Sequence, residues 1–190
     1  MRAKLGIAIA AVLALAACEQ PVAEAEAEAE PAAPVGADPI DAATKASVQM
    51  NGSGIVVPAQ NGDEQLEVPF GSMREAAETS LAAVLGEQTG TNTLEECPMG
   101  PASTSAYADM ILTFQDDRFV GWMAEGQYLP TETLGEFQAQ DGVTAVEDST
   151  LGAEYTMGTD DGPIITVLFD GDGDEARADK MWAGSICIFR

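Results

Sequence analysis

The sequence has no histidine, only eight lysines and arginines against 32 aspartates and glutamates, three cysteines, and 6% aromatic residues. Without histidine, serine and cysteine hydrolysis lose their usual general base. A formal charge of −24 repels phosphate backbones and anionic headgroups, which argues against nucleic acid as a partner. No cysteine stands in a C-x-x-C pair, so a redox thiol has neither its motif nor a base. Long apolar runs are missing too. The one candidate, Leu5 to Ala17, is too short to span a bilayer as a stable helix.

What is present begins with that short run. Met1, Arg2 and Lys4 precede it, and it closes on the small residues Ala16 and Ala17 before a cysteine, the pattern of a secretion signal over residues 1–17. Leu15-Ala16-Ala17-Cys18 resembles the lipobox of bacterial lipoproteins. The resemblance implies that Cys18 is diacylated, becomes the new N-terminus and holds the protein to a membrane. Glu19 stands where inner-membrane retention in enteric-type lipoproteins wants aspartate, which implies an outer-membrane address facing the periplasm. After Cys18 come alternating Ala and Glu, then Pro31, Pro34 and Pro39, too polar to offset the entropy of ordering. Residues 18–45 read as a lipidated, disordered acidic tether, and 46–190 as one domain of ordinary size. With Cys18 used by lipid, Cys97 and Cys187 remain as an even pair in an oxidising compartment, and a disulfide between them is expected.

The domain reads as α+β, an antiparallel sheet with one main and one short helix. Asn51-Gly52-Ser53-Gly54 is a turn, Ile55 to Val57 a strand, and Leu66, Val68 and Phe70 alternate like a second; both are expected at sheet edges. Ser72-Met73-Arg74-Glu75 has the form of a capping box, opening a helix whose stripe is Met73, Ala77, Leu81, Val84 and Leu85 and whose stop is Gly86. A loop-rich passage with Cys97 follows, then strands at Tyr107–Phe114 and Phe119–Met123 joined by Gln115-Asp116-Asp117-Arg118. Thr133-Leu134-Gly135-Glu136 is a second capping box, and Asp141-Gly142 stops its helix. Strands are expected at Val143–Glu147, Ala153–Met157, Ile164–Phe169 and Met181–Phe189. The order suggests a degenerate repeat, with halves 66–126 and 129–190 each ending near a tryptophan, Trp122 and Trp182.

Phe70-Gly71, Glu96-Cys97, Phe119-Val120-Gly121-Trp122, Ser149-Thr150-Leu151-Gly152 and Trp182-Ala183-Gly184 through Arg190 resemble a group of alphaproteobacterial lipoproteins often labelled aspartate-semialdehyde dehydrogenases. The residues argue against that activity. It needs a glycine turn between strand and helix to cradle NADP, and a cysteine nucleophile with a histidine base. Ser53-Gly54 and Asp170-Gly171-Asp172-Gly173 are glycine turns with no helix expected after them, so no cofactor is expected. A capped helix followed by antiparallel strands also resembles the repeats of beta-lactamase inhibitor protein and of outer-membrane assembly lipoproteins, which implies a binding module.

Few residues suggest chemistry. Asp170, Asp172 and Asp174, with Glu175, alternate as calcium ligands do, but Glu175 stands where an EF-hand loop has glycine and Met181 where it has the closing glutamate. A solvated hairpin tip is the favoured reading. Trp122 and Trp182, with Tyr107 and Tyr155, could stack on a glycan or peptide, though strand aromatics are more often core. The expected function is a membrane-anchored envelope lipoprotein that binds an envelope protein or glycan or has a structural role. The competing readings are a hydrolase of envelope polymers working through carboxylates, and a calcium-binding protein.

Overall fold

The computed structural model describes residues 48–59, 64–159 and 162–189; the leader, Cys18 and the tether lie outside them. Asn51 turns the chain between β1 (Gln49–Asn51) and β2 (Gly54–Val57), its Oδ1 accepting from the Ser53 N–H and hydroxyl, both at 2.9 Å. With β3 (Leu66–Pro69) these form a small antiparallel sheet ordered β1-β2-β3. Thus Ile55–Val57 is the central strand, not an edge. Its second neighbour, Gln-Met-Asn, carries no apolar alternation to announce it.

Helix α1 (Arg74–Leu85) buries Ala77, Leu81, Val84 and Leu85 as the stripe requires, while Met73, expected on that stripe, is 53% exposed. Gly86, at φ +82°, ends the helix with its N–H on the Ala82 carbonyl. The start is a correction: Met73 is the N-cap, no side chain caps it, and the Ser72 hydroxyl donates to Pro69 O. A strand turn satisfies the helix instead. The Arg74 N–H donates to Asp117 O at 2.8 Å and Phe119 N–H to Ser72 O at 2.9 Å, so an orphan donor is met without a capping side chain.

The remaining strands form one antiparallel sheet of two meanders: β4 (Gly90–Leu94), β5 (Ala102–Tyr107), β6 (Met110–Gln115) and β7 (Arg118–Ala124), then β8 (Val143–Ala145), β9 (Ala153–Met157), β10 (Ile165–Phe169) and β11 (Ala178–Gly184). Its order is β4-β5-β6-β7-β11-β10-β9-β8. The passage read as loop therefore holds β4 and most of β5, whose Gly, Thr, Asn, Ser and Ala are poor strand signals. The strand expected over Tyr107–Phe114 is split by a turn at Ala108–Asp109. Asp116 and Asp117, at φ +49° and +57°, make the two-residue β6–β7 turn with the twist a hairpin needs. The final strand stops at Gly184, and Ser185 N–H turns back to Val120 O.

The α+β reading holds, and the element order repeats: a helix and four strands, twice. The second helix, α2 (Leu134–Gln138), has the expected capping box, with Thr133 Oγ1 accepting from Glu136 N–H and Glu136 Oε2 from Thr133 N–H. The helix starts are held alike. Met73 bridges to Arg118 and Thr133 to Arg177, and each arginine's Nη1 donates to the carbonyl two residues before the cap, Gly71 or Thr131. The seam between halves obeys the same relation: Ala124 pairs with Met181, and Trp122 with Ala183. A shift carrying Trp122 to Met181 carries Ala124 to Ala183 and maps one pair onto the other. Trp122 and Trp182 are therefore not equivalent; they lie on opposite faces.

The core fills the face of the large sheet covered by α1, α2 and the small sheet. It includes Leu112, Phe114, Phe119, Trp122, Phe137, Val167 and Phe169. Trp122 is fully buried, and its Nε1–H donates to Asn51 O at 3.0 Å, tying the small sheet to the large one. Trp122→Phe keeps most of the ring but leaves that carbonyl without its donor. Urea unfolding should show a loss of about 1–3 kcal/mol, the penalty of a buried unsatisfied group, and Trp122→Ala should lose about 3–5 kcal/mol.

Candidate functional site

The structure does not assemble the candidates read from the sequence into one site. Trp122 and Trp182 are buried, which overturns the stacking role for both: Trp122 belongs to the core, and Trp182 is buried on the other face of the sheet. Tyr107 is buried as well, and Tyr155 stands edge-on to Phe169 at 5.9 Å while its hydroxyl meets Gln138 Nε2. At the hairpin tip, Asp170 Oδ1 accepts from the Arg177 N–H at 2.9 Å, and the Asp174 carbonyl accepts from Gly135 N–H at the start of α2. Among the described residues no group of three acidic, cysteine or histidine side chains is placed to hold a metal ion, so Asp170, Asp172 and Asp174 do not converge on one cation. Gly171 and Gly173 lead into a strand, not a helix. Cys97 and Cys187 are free thiols in this structure and lie in hydrogen-bonding contact. Burial and the neighbouring Cys97 push the Cys187 thiol up to about 11.

A polar cluster that the sequence did not announce lies between α1 and β5. Arg74 points its fork at the sheet: Nε donates to Glu78 Oε1 at 2.9 Å, Nη1 to Ser103 Oγ at 2.9 Å, and Nη2 to Ser105 Oγ at 2.8 Å. Ser105 Oγ in turn donates to the same Glu78 oxygen. The guanidinium also sits over the Phe114 ring, 4.7 Å from its centroid. One turn of helix places Glu78 beside Arg74, and strand alternation puts Ser103 and Ser105 on one face. Those two local spacings were legible; that they meet was not. Tyr107 continues the same face, and its hydroxyl pKa is raised, first by burial and then by Glu78, with Arg74 opposing.

The chemistry available here is positioning. Ser105 is fully buried, its hydroxyl proton is committed to Glu78, and its oxygen accepts from Arg74. Above the cluster, α1 and the sheet leave an open cleft. One part, about 360 Å³, is lined by Met73, Arg74, Glu75, Glu78, Thr79 and Asp117. The next, about 480 Å³, shares Glu78 and Thr79 and runs on to Glu87, Gln88 and Tyr107. Elsewhere, Glu154 is buried on β9 and accepts from Ser149 Oγ at 2.6 Å, which accounts for the serine of Ser149-Thr150-Leu151-Gly152. Glu154 stands on β9 in the second meander and Glu78 on α1 against β5 in the first, so they form no paired-carboxylate centre.

Two measurements follow from this arrangement. In an ultraviolet titration the Tyr107 phenol should ionise above 10; Glu78→Gln should lower its midpoint only in part, because burial is the larger cause. Exposure to oxygen or a disulfide donor should link Cys97 to Cys187, seen as a non-reduced peptide pair by mass spectrometry. The link should raise stability by about 4 kcal/mol on the chain-entropy model, whereas two alkylatable thiols after oxidation would reject the pairing.

Among known proteins, no family model, no curated sequence and no solved structure matches this chain.

Proposed function

We propose that this protein is an exported lipoprotein, anchored through lipid on Cys18, that acts in the cell envelope by binding a partner. The address rests on the leader and Leu15-Ala16-Ala17-Cys18, with Glu19 favouring the periplasmic face of the outer membrane. Among the described residues no helix is long and apolar enough to cross a membrane, so the lipid is the attachment this reading invokes. A helix followed by antiparallel strands, twice over, agrees with the resemblance to repeat-built binding modules.

The observation that carries binding is the cleft along α1. Beneath it Arg74, Glu78 and Ser105 are locked by mutual hydrogen bonds, while Glu75, Thr79, Glu87 and Asp117 present polar groups to solvent along two adjoining depressions that share Glu78 and Thr79. A rigid floor under an open rim suits recognition, since little ordering entropy is left to lose on contact. The charge favours a basic or hydroxyl-rich partner, an envelope protein or a glycan, over nucleic acid.

Two arms test this. Metabolic labelling with an alkyne fatty acid should mark the wild type and not Cys18→Ser, and equal labelling of both would overturn the anchor. Cross-linking in intact envelopes should trap the lipoprotein with a partner in defined stoichiometry. Glu75→Gln with Glu87→Gln should reduce that yield several-fold, and wild-type yield of no stoichiometric adduct would overturn the binding role.

A further inference from the structure

Resting on the binding reading, we infer that the partner is an extended basic polypeptide segment that adds a strand to the free edge of β4, beside the α1 cleft. The sheet has two edges, and they differ. The β8 edge is three residues long. The β4 edge, Gly90-Thr91-Asn92-Thr93-Leu94, is five, and its first four residues are exposed. It carries no lysine and no proline, the residues with which edge strands usually discourage pairing. On one side β4 pairs with β5; on the other, alternate N–H and C=O groups face no strand among the described residues. Such a row is a template for strand addition, which supplies affinity through main-chain hydrogen bonds and specificity through alternate side chains.

The groove selects the occupant. Thr91 and Thr93 pair with Ser105 and Ser103, so they share the face on which Arg74 and Glu78 close the cluster. Alternate side chains of an added strand would project on that same face, towards the cleft lined by Glu75, Glu78, Glu87 and Asp117. Glu95 and Glu96, both exposed, follow β4 directly. The one cation of the cleft, Arg74, is held by Glu78, Ser103 and Ser105. Lysine or arginine at every second position fits this surface. A second copy of this chain does not, since it would bring two strongly acidic surfaces together.

The probe is an acetylated decapeptide alternating lysine and threonine, added to the purified full-length protein and followed by fluorescence anisotropy and amide hydrogen exchange. Saturable binding is expected, with exchange slowed at Gly90–Leu94 and unchanged at Val143–Ala145. Two N-methylated versions, one for each alternate set of peptide N–H groups, should differ at least tenfold in affinity, because only one set faces β4. Glu75→Gln with Glu87→Gln should weaken binding at least fivefold. Equal affinity of the two N-methylated peptides, protection away from β4, no binding at millimolar peptide, or β4 protection that rises with protein concentration alone would each overturn the inference. Stoichiometric adducts in intact envelopes with unprotected β4 amides would reject the edge and leave the binding reading standing; absence of adducts would reject that reading itself.

Discussion

The antiparallel pairing of β7 with β11 is the constraint on which the rest of this structure depends. Each meander alone would be a four-stranded sheet with an unpaired inner edge and half a core. Joined at Gly121–Ala124 and Met181–Gly184, they present one apolar face broad enough for α1, α2 and the small sheet to cover. At the seam Trp122 pairs with Ala183 and Ala124 with Met181, large against small, an alternation that lets close-packed side chains interdigitate. The close approaches follow. Gly121 leaves room for the Ser185 backbone and Gly184 for Phe70 and Val120, where any Cβ would collide. At about 25 cal/mol per Å², fully burying side chains such as Phe114, Leu112 and Phe119 contributes roughly 1.5–3 kcal/mol each, and the core gathers many of them.

The scarcity of cations gives those present structural tasks. Among the described residues, Arg74 latches α1 to β5, Arg118 and Arg177 hold the two helix starts, and Lys180 pairs with Glu125 at 3.0 Å and Asp179 at 3.3 Å. The surface left over is acidic. Exposed pairs such as those of Lys180 contribute little, but the half-buried Arg74 is hydrogen-bonded at three nitrogens and stacked on Phe114, a geometry that fixes helix against sheet. One arginine thus ties α1 to β5 beneath the cleft, whose lining also carries the exposed carboxylates of Glu75, Glu87 and Asp117.

What could be read in advance follows the range of the interaction. The Thr133 capping box, the Gly86 stop, the turns at Asn51–Gly54 and Asp116–Asp117, and β9 are decided by neighbours a few residues apart, and all stand where their local chemistry put them. Ser72 has the same local credentials as Thr133 and fails as a cap. The carbonyl of Asp117 reaches Arg74 N–H first, and nothing near Ser72 in the chain foretells it. β4 and the start of β5 were illegible for a related reason: Thr, Asn, Ser and Gly form strands here because β6 offers an edge to extend, not because they prefer to.

The sequence by itself determined the α+β class, the two helices, the hairpin turns, most of the apolar strand positions and the acidity of the surface. Those follow from periodicity, cap and turn chemistry, and charge, each set by adjacent residues. Tertiary structure alone decided that the two meanders meet at β7 and β11 and that the tryptophans are inequivalent. It also decided that Arg74 finds Ser103 and Ser105, about thirty residues away. Contacts between groups so far apart depend on how whole strands pair and pack, and no local pattern encodes a register that two distant segments settle only together.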